Sequence, residues 1–207
     1  MHRGRNGYIG ATLELWEFFS RNIAKIEAAY DAGDYEWLSR QLSPLVKAIA
    51  KDMNWEFGPY HHPDRTFVLS PTIRENLPVS RAGVANAPSL PGWFFEPAKP
   101  AKDLLSLVFD AEGASICPDD WRYRLTSYND GEFVDIEIFY ESSTAPPTAH
   151  VQTFCELAVE AVLGEALRLD RVGYLKPSLV EDVSVVENAS EIRYLKKHLD
   201  EVLVPVE

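Results

Sequence analysis

Residues Trp121–Tyr140 read WRYRLTSYNDGEFVDIEIFY, and this stretch decides the fold. Asp130-Gly131 suits a two-residue hairpin turn that demands positive φ, and the arms on either side alternate apolar with polar. A turn there sets Leu125 opposite Ile136, Tyr123 opposite Ile138 and Trp121 opposite Tyr140 on one face, with Arg124 opposite Glu137 on the other. Apolar pairs on one side and an ion pair on the other describe a half-buried antiparallel sheet, and a one-residue slip would destroy both.

Downstream of Pro146-Pro147 the period becomes helical. Val151, Phe154, Cys155, Ala158, Val162, Ala166 and Leu169 share one stripe of a helix predicted over residues 148–169, about 33 Å long at about 1.5 Å per residue. Val172 to Leu179 reads as an edge strand, where Gly173 and Pro177 are tolerated. A last helix carries Ile192, Leu195, Leu199 and Val202, with Ser190 near its cap. Upstream, Leu13, Trp16, Phe19, Ile23, Ile26 and Tyr30 predict a helix over residues 12–31, which Ala32-Gly33 ends. Asp34 caps a second one bearing Leu38, Leu42, Leu45, Ile49 and Met53. Pro44 is expected to kink that helix, or to restart it with Ser43 as cap. Residues 55–58 and 66–70 form a predicted hairpin around a loop at 59–65, and Trp93–Glu96 and residues 104–109 are strand-like. Thr72-Ile73-Arg74-Glu75 has the capping-box pattern, and Pro78 limits the helix it would start.

Strands in the middle and helices at both ends predict an α+β fold: an antiparallel sheet of about five to six strands, helices mainly on one face, and an N-terminal αα-hairpin. One domain over residues 11–207 is expected, after a flexible polar tail at 1–10. No internal repeat is evident in the sequence, and neither glycine-rich dinucleotide loop nor phosphate loop occurs. No window has the apolar length of a membrane span or a secretion signal, and two cysteines, Cys117 and Cys155, are too few for a disulfide scaffold. A reducing cytoplasm, without membrane partner or cofactor, is therefore expected.

Charge decides a further question. Residues 1–100 hold 11 basic and 11 acidic side chains, whereas 101–207 hold 9 and 21, so the net −12 belongs to the second half. Such a surface repels phosphate, which argues against nucleic acid as a partner and favours a basic protein, against the alternative that the acidity serves solubility.

Trp55-Glu56-Phe57-Gly58, Ser70-Pro71, Ala87-Pro88-x-Leu90-Pro91-Gly92-Trp93, Pro118-Asp119-Asp120 and Leu163-Gly164-Glu165 occur in an order that resembles a group of small uncharacterised bacterial proteins. The resemblance covers residues 45–180. It implies a bacterial origin and a single domain, and assigns no functional residue.

Several constellations are candidates for chemistry or binding. His61, His62 and Asp64 bring imidazole and carboxylate ligands suited to zinc or iron into one loop, against the alternative of a plain polar turn. Asp119 and Asp120 offer paired carboxylates, against the alternative of a turn in which Asp bonds nearby amides. Cys155 and His150 do not share a helical face, so Cys155 is read as core. Among the five tryptophans, Trp37 lies off its helix's apolar stripe and is the candidate exposed anchor, against the alternative that it packs on the neighbouring helix. The acidic partner surface is predicted from Asp110, Glu112, Asp119, Asp120, Asp130 and Glu132, at the ends of neighbouring strands. These constellations suit two functions. The first is a non-enzymatic binding or regulatory protein for a basic partner. The second is a metal-assisted hydrolase using His61, His62, Asp64 and the Asp119/Asp120 pair.

Overall fold

A computed structural model describes residues 6–58, 65–102, 108–111 and 114–204. The chain divides into two compact units, Met1–Lys99 and Pro100–Glu207, where one domain is expected. Each unit has its own hydrophobic core, and each is described by itself.

In the first unit, α1 (Asn6–Arg21) starts inside the predicted tail. It stops at Asn22, whose side-chain amide donates to the Phe18 carbonyl at 2.9 Å and competes with the helical ladder. The expected single helix is therefore two, the second being α2 (Ile23–Asp31). The Asp34 carboxylate then accepts from the Trp37 amide at 3.0 Å and caps α3 (Tyr35–Ile49), which runs through Pro44 without restarting. The helical pair is thus present, with its first arm broken. β1 (Asn54–Gly58) and β2 (Arg65–Ser70) form the expected hairpin. The capping box does not form: Thr72 takes φ 58° and its hydroxyl donates to the Asp52 carbonyl. Pro78 does not limit α4 (Leu77–Val84) but sits in its first turn, where a missing amide hydrogen costs nothing. α4 then returns the chain so that β3 (Trp93–Glu96) runs parallel to β2. Trp16 and Phe19 of α1 meet Phe67 and Phe95 edge to face at 5.0–6.0 Å, building an aromatic core on this three-stranded sheet.

In the second unit, β4 (Phe109–Ala111) and β5 (Ala114–Ile116) form a small ladder of their own. β6 (Arg122–Tyr128) and β7 (Phe133–Tyr140) pair in the predicted register: Tyr123 with Ile138, Arg124 with Glu137, Leu125 with Ile136. Their connection is four residues, Asn129 to Glu132, rather than two. Asn129, Asp130 and Gly131 take φ of 51°, 55° and 89° in succession. The long helix predicted after Pro147 is broken at Gly164 (φ 78°) into α5 (Val151–Leu163) and α6 (Glu165–Arg171). This crossover returns the chain to β8 (Val172–Leu179), which lies at the edge, as expected, but parallel to β7. β9 (Ser190–Glu191) adds a short strand beside β6, and α7 (Leu195–Val202) closes the unit.

Among the described residues the fold is therefore α+β with sheets of three, two and four strands. The single antiparallel sheet of five to six strands is not formed, because both crossover connections deliver parallel strands. The two larger sheets share one topology, an antiparallel hairpin continued by a helical crossover and a strand parallel to the hairpin's second arm.

Val134, Ile136 and Ile138 of β7 pack with Phe154, Cys155, Ala158 and Val159 of α5 and with Leu195 and Leu199 of α7. Burial pushes the Cys155 thiol up to about 12, helped by the charge of Glu156, as a core cysteine requires. On the opposite face Glu137 accepts from Lys176 at 2.7 Å, from Arg124 at 2.6 Å and from Ser178 at 2.7 Å. These donors, Lys176 foremost, hold its carboxyl at about 2.

This packing makes two expectations measurable. A Cβ at Gly131 would lie 2.6 Å from the Val202 carbonyl at a φ that side chains avoid, whereas one at Gly10, inside α1, would meet nothing within 4 Å. Gly131→Ala is expected to destabilise the protein by about 1–3 kcal/mol and Gly10→Ala to stabilise it by up to about 1 kcal/mol, read from denaturant midpoints. For Glu137 the folded value lies below the ordinary 4.5, so its contribution is complete above that pH and fades as pH falls toward 2. With Arg124 and Lys176 well exposed, Glu137→Gln is expected to cost about 1 kcal/mol at pH 7 and to flatten acid unfolding in that window.

Candidate functional site

The pairing of β6 with β7 on one side and β9 on the other brings four stretches of chain together at one end of the second unit's sheet. Pro118 and Trp121 shape the first: the Trp121 amide donates to the Pro118 carbonyl at 2.9 Å, making a turn that leads into β6. Arg122 begins β6, with Phe139 and Glu191 as its strand partners. The residues after β7, Glu141 to Thr144, lie beside that turn, because the indole of Trp121 donates to the Thr144 carbonyl at 3.3 Å. The Ile192 amide donates to the Trp121 carbonyl at 3.0 Å, which fastens the Glu191–Arg193 stretch to the same corner. Trp121 is fully buried, so one core residue ties three of the four stretches.

These stretches enclose a cleft of about 410 Å³ lined by Asp119, Asp120, Arg122, Glu141, Ser143, Thr144, Val183, Glu191 and Arg193. It stands at the carboxyl ends of the parallel strands β7 and β8, the position where parallel α/β sheets bind their ligands.

The charges of the cleft divide into engaged and free groups. Glu141 accepts from the Val183 amide at 2.9 Å and from the Ser143 hydroxyl at 3.5 Å. Glu191 pairs with Arg193, and that bond raises the guanidinium's already high pKa. Asp119 and Asp120 are exposed and, among the described residues, meet no hydrogen-bond or ion-pair partner. The turn is thus set by proline and backbone, and the carboxylates are not spent on local amides. Arg122 is half-buried with no carboxylate within ion-pair distance among the described residues. Nearby, the Asp182 carboxyl is held low by the Ser184 hydroxyl and amide, and further by the charge of Arg122.

The other predicted site residues lie elsewhere. Asp130 and Glu132 are in the β6–β7 connection, at the far end of a seven-residue strand and so about 20 Å from Asp119 and Asp120. Asp110 is on β4 and accepts from Ser115 at 2.6 Å. The predicted acids therefore do not gather at one edge. Trp37 is not an exposed anchor; it is half-buried and packs against the first unit's core. His61, His62, Asp64 and Glu112 lie outside the described residues. Among the described residues no group of three or more His, Cys, Asp or Glu is arranged to hold a metal ion, and no helix is long and apolar enough to cross a membrane.

No protein-family model, curated protein or solved structure matches the chain.

Arg122, Glu141, Glu191 and Arg193 are not singled out by the sequence. The hairpin register carries the signal for one of them: extended past Tyr140, it sets residue 141 beside the Pro118–Asp120 turn. Trp121→Phe is expected to keep the ring in the core but to release Thr144, costing about 1–2 kcal/mol and speeding amide exchange at Ser143 and Thr144.

Proposed function

We propose that the chain is a binding or regulatory protein rather than an enzyme, and that its second unit receives a basic partner at the cleft beside Asp119 and Asp120. One observation carries the reading: two carboxylates stand without partners among the described residues at an open cleft, in the half of the chain that holds 21 acidic and 9 basic side chains. Unspent carboxylates in a field of like sign cost stability through repulsion, and a guanidinium or ammonium relieves it. The charge also steers encounter, so association is fast at low ionic strength and slows as the Debye length shrinks from about 30 Å at 0.01 M to about 8 Å at 0.15 M.

The test uses a defined probe, an amide-capped hepta-arginine peptide, with association rates measured at both salt concentrations. The rate is expected to fall at least tenfold with salt. The double variant Asp119→Lys/Asp120→Lys is expected to lose the peptide, while Asp130→Lys/Glu132→Lys, an equal charge change at the far end of β6, retains it. Equal binding by the two variants would reduce the acidity to a solubility device.

A further inference from the structure

The cleft holds charge of both signs, and the free groups are unequal in kind. With Glu141 spent on Val183 and Ser143, and Glu191 on Arg193, the unspent charges are the carboxylates of Asp119 and Asp120 and the guanidinium of Arg122. Arg122 differs from the two acids in being half-buried, so it has given up part of its hydration without gaining a carboxylate at ion-pair distance among the described residues; Asp182 feels its charge, but that carboxylate accepts from the Ser184 amide and hydroxyl. A partner that brought only positive charge would satisfy the acids and repel Arg122. A ligand that satisfies all three carries a carboxylate together with a cation.

The rest of the lining narrows its shape. Val183 gives an apolar surface suited to a methylene chain, and Ser143 and Thr144 complete the wall, their hydroxyls donating to the Glu141 carboxylate and carbonyl. A volume of about 410 Å³ is near the lower end of small-ligand sites, which run from about 300 to about 1,000 Å³, so it suits one residue rather than a folded surface. Arg122 presents the planar fork that grips a carboxylate through two parallel bonds.

Resting on the reading of this cleft as a site for a basic partner, we infer that it takes a basic residue with a free α-carboxylate: the carboxylate on Arg122, the cationic side chain on Asp119 and Asp120. A free cationic amino acid and the carboxyl-terminal Arg or Lys of a peptide share this chemistry, and the experiment separates them.

Four small compounds titrated calorimetrically into the full chain serve as probes: L-arginine, Nα-acetyl-L-arginine, L-argininamide and L-citrulline. L-Arginine is expected to bind at least tenfold more tightly than argininamide, which lacks the carboxylate, and than citrulline, which lacks the cation. Equal affinity for arginine and acetyl-arginine assigns the site to a chain end, whereas binding of arginine alone assigns it to the free amino acid. Arg122→Gln is expected to level arginine with argininamide. Arg122→Lys, which keeps the charge but not the fork, retains a preference for the carboxylate and serves if the glutamine variant fails to fold.

Argininamide binding as tightly as arginine would overturn the inference, as would failure of all four compounds to bind. In either case continued Asp119/Asp120-dependent binding of the amide-capped hepta-arginine, which has no carboxylate, would leave the broader reading standing; loss of that binding as well would remove both.

Discussion

Glu137 cannot be buried without its partners, and much of the second unit depends on that constraint. Its carboxylate is tied to Arg124 on one neighbouring strand and to Lys176 on the other, so one residue fixes the register of three strands at once. Because side chains alternate along a strand, Val134, Ile136 and Ile138 are then committed to the opposite face, where α5 and α7 cover them. The energy lies in the apolar face, since burying a large aliphatic side chain is worth about 1.5–3 kcal/mol and the exposed charge ladder far less. The charges contribute mainly choice, by making a one-residue shift of β7 put Glu137 into the core.

That commitment also locates the cleft. A helix that covers the core face of β7 and brings the chain back to the start of the strand delivers the next strand parallel, as β8 is. The loop leaving β7 and the segment leaving β8 therefore emerge at one end, where the antiparallel β6 begins with Arg122. Gly164 serves this return: its positive φ ends α5 and starts α6, so that the chain turns rather than running on past the sheet. At the other end of the sheet, Arg171 donates to the carbonyls of Glu132 and Val204, pinning the C-terminal segment against the β6–β7 connection.

Some of this is legible in the sequence, and the rest is concealed for identifiable reasons. The β6–β7 register is readable because both faces alternate together. A four-residue connection in place of two does no harm, since it is centred on the same peptide bond and leaves the pairs from Arg122–Phe139 to Tyr128–Phe133 in the predicted register. Strand direction is not readable: alternation reports which face a residue takes, not whether its neighbour runs parallel, so β3 and β8 read as members of an antiparallel sheet. Helix breaks at Asn22 and Gly164 are masked by apolar stripes that continue across them. Of the cleft, Asp119 and Asp120 announce themselves as adjacent acids after a proline. Arg122, Glu141, Glu191 and Arg193 come from segments up to about seventy residues apart, and only strand pairing unites them.

The two units share one topology but end its central strand differently. In the first, β2 ends at Ser70, and the Pro71 carbonyl just beyond it accepts from the buried Asn76 side-chain amide at 3.1 Å, so the end of the central strand is consumed by structure. In the second, β7 ends at Tyr140, and the Glu141–Thr144 stretch beyond it is polar and lines an open cleft. Charge divides at the same place: the residues up to Lys99 balance 11 basic against 11 acidic, and those from Pro100 onward carry the entire excess of 12 negative charges. Packing alone gives no reason for such a split, because both cores are built from the same kinds of apolar and aromatic side chains. The proposed recognition of a basic partner would give one: a charged field steers a partner only if it is asymmetric, and the excess lies wholly in the second half of the chain.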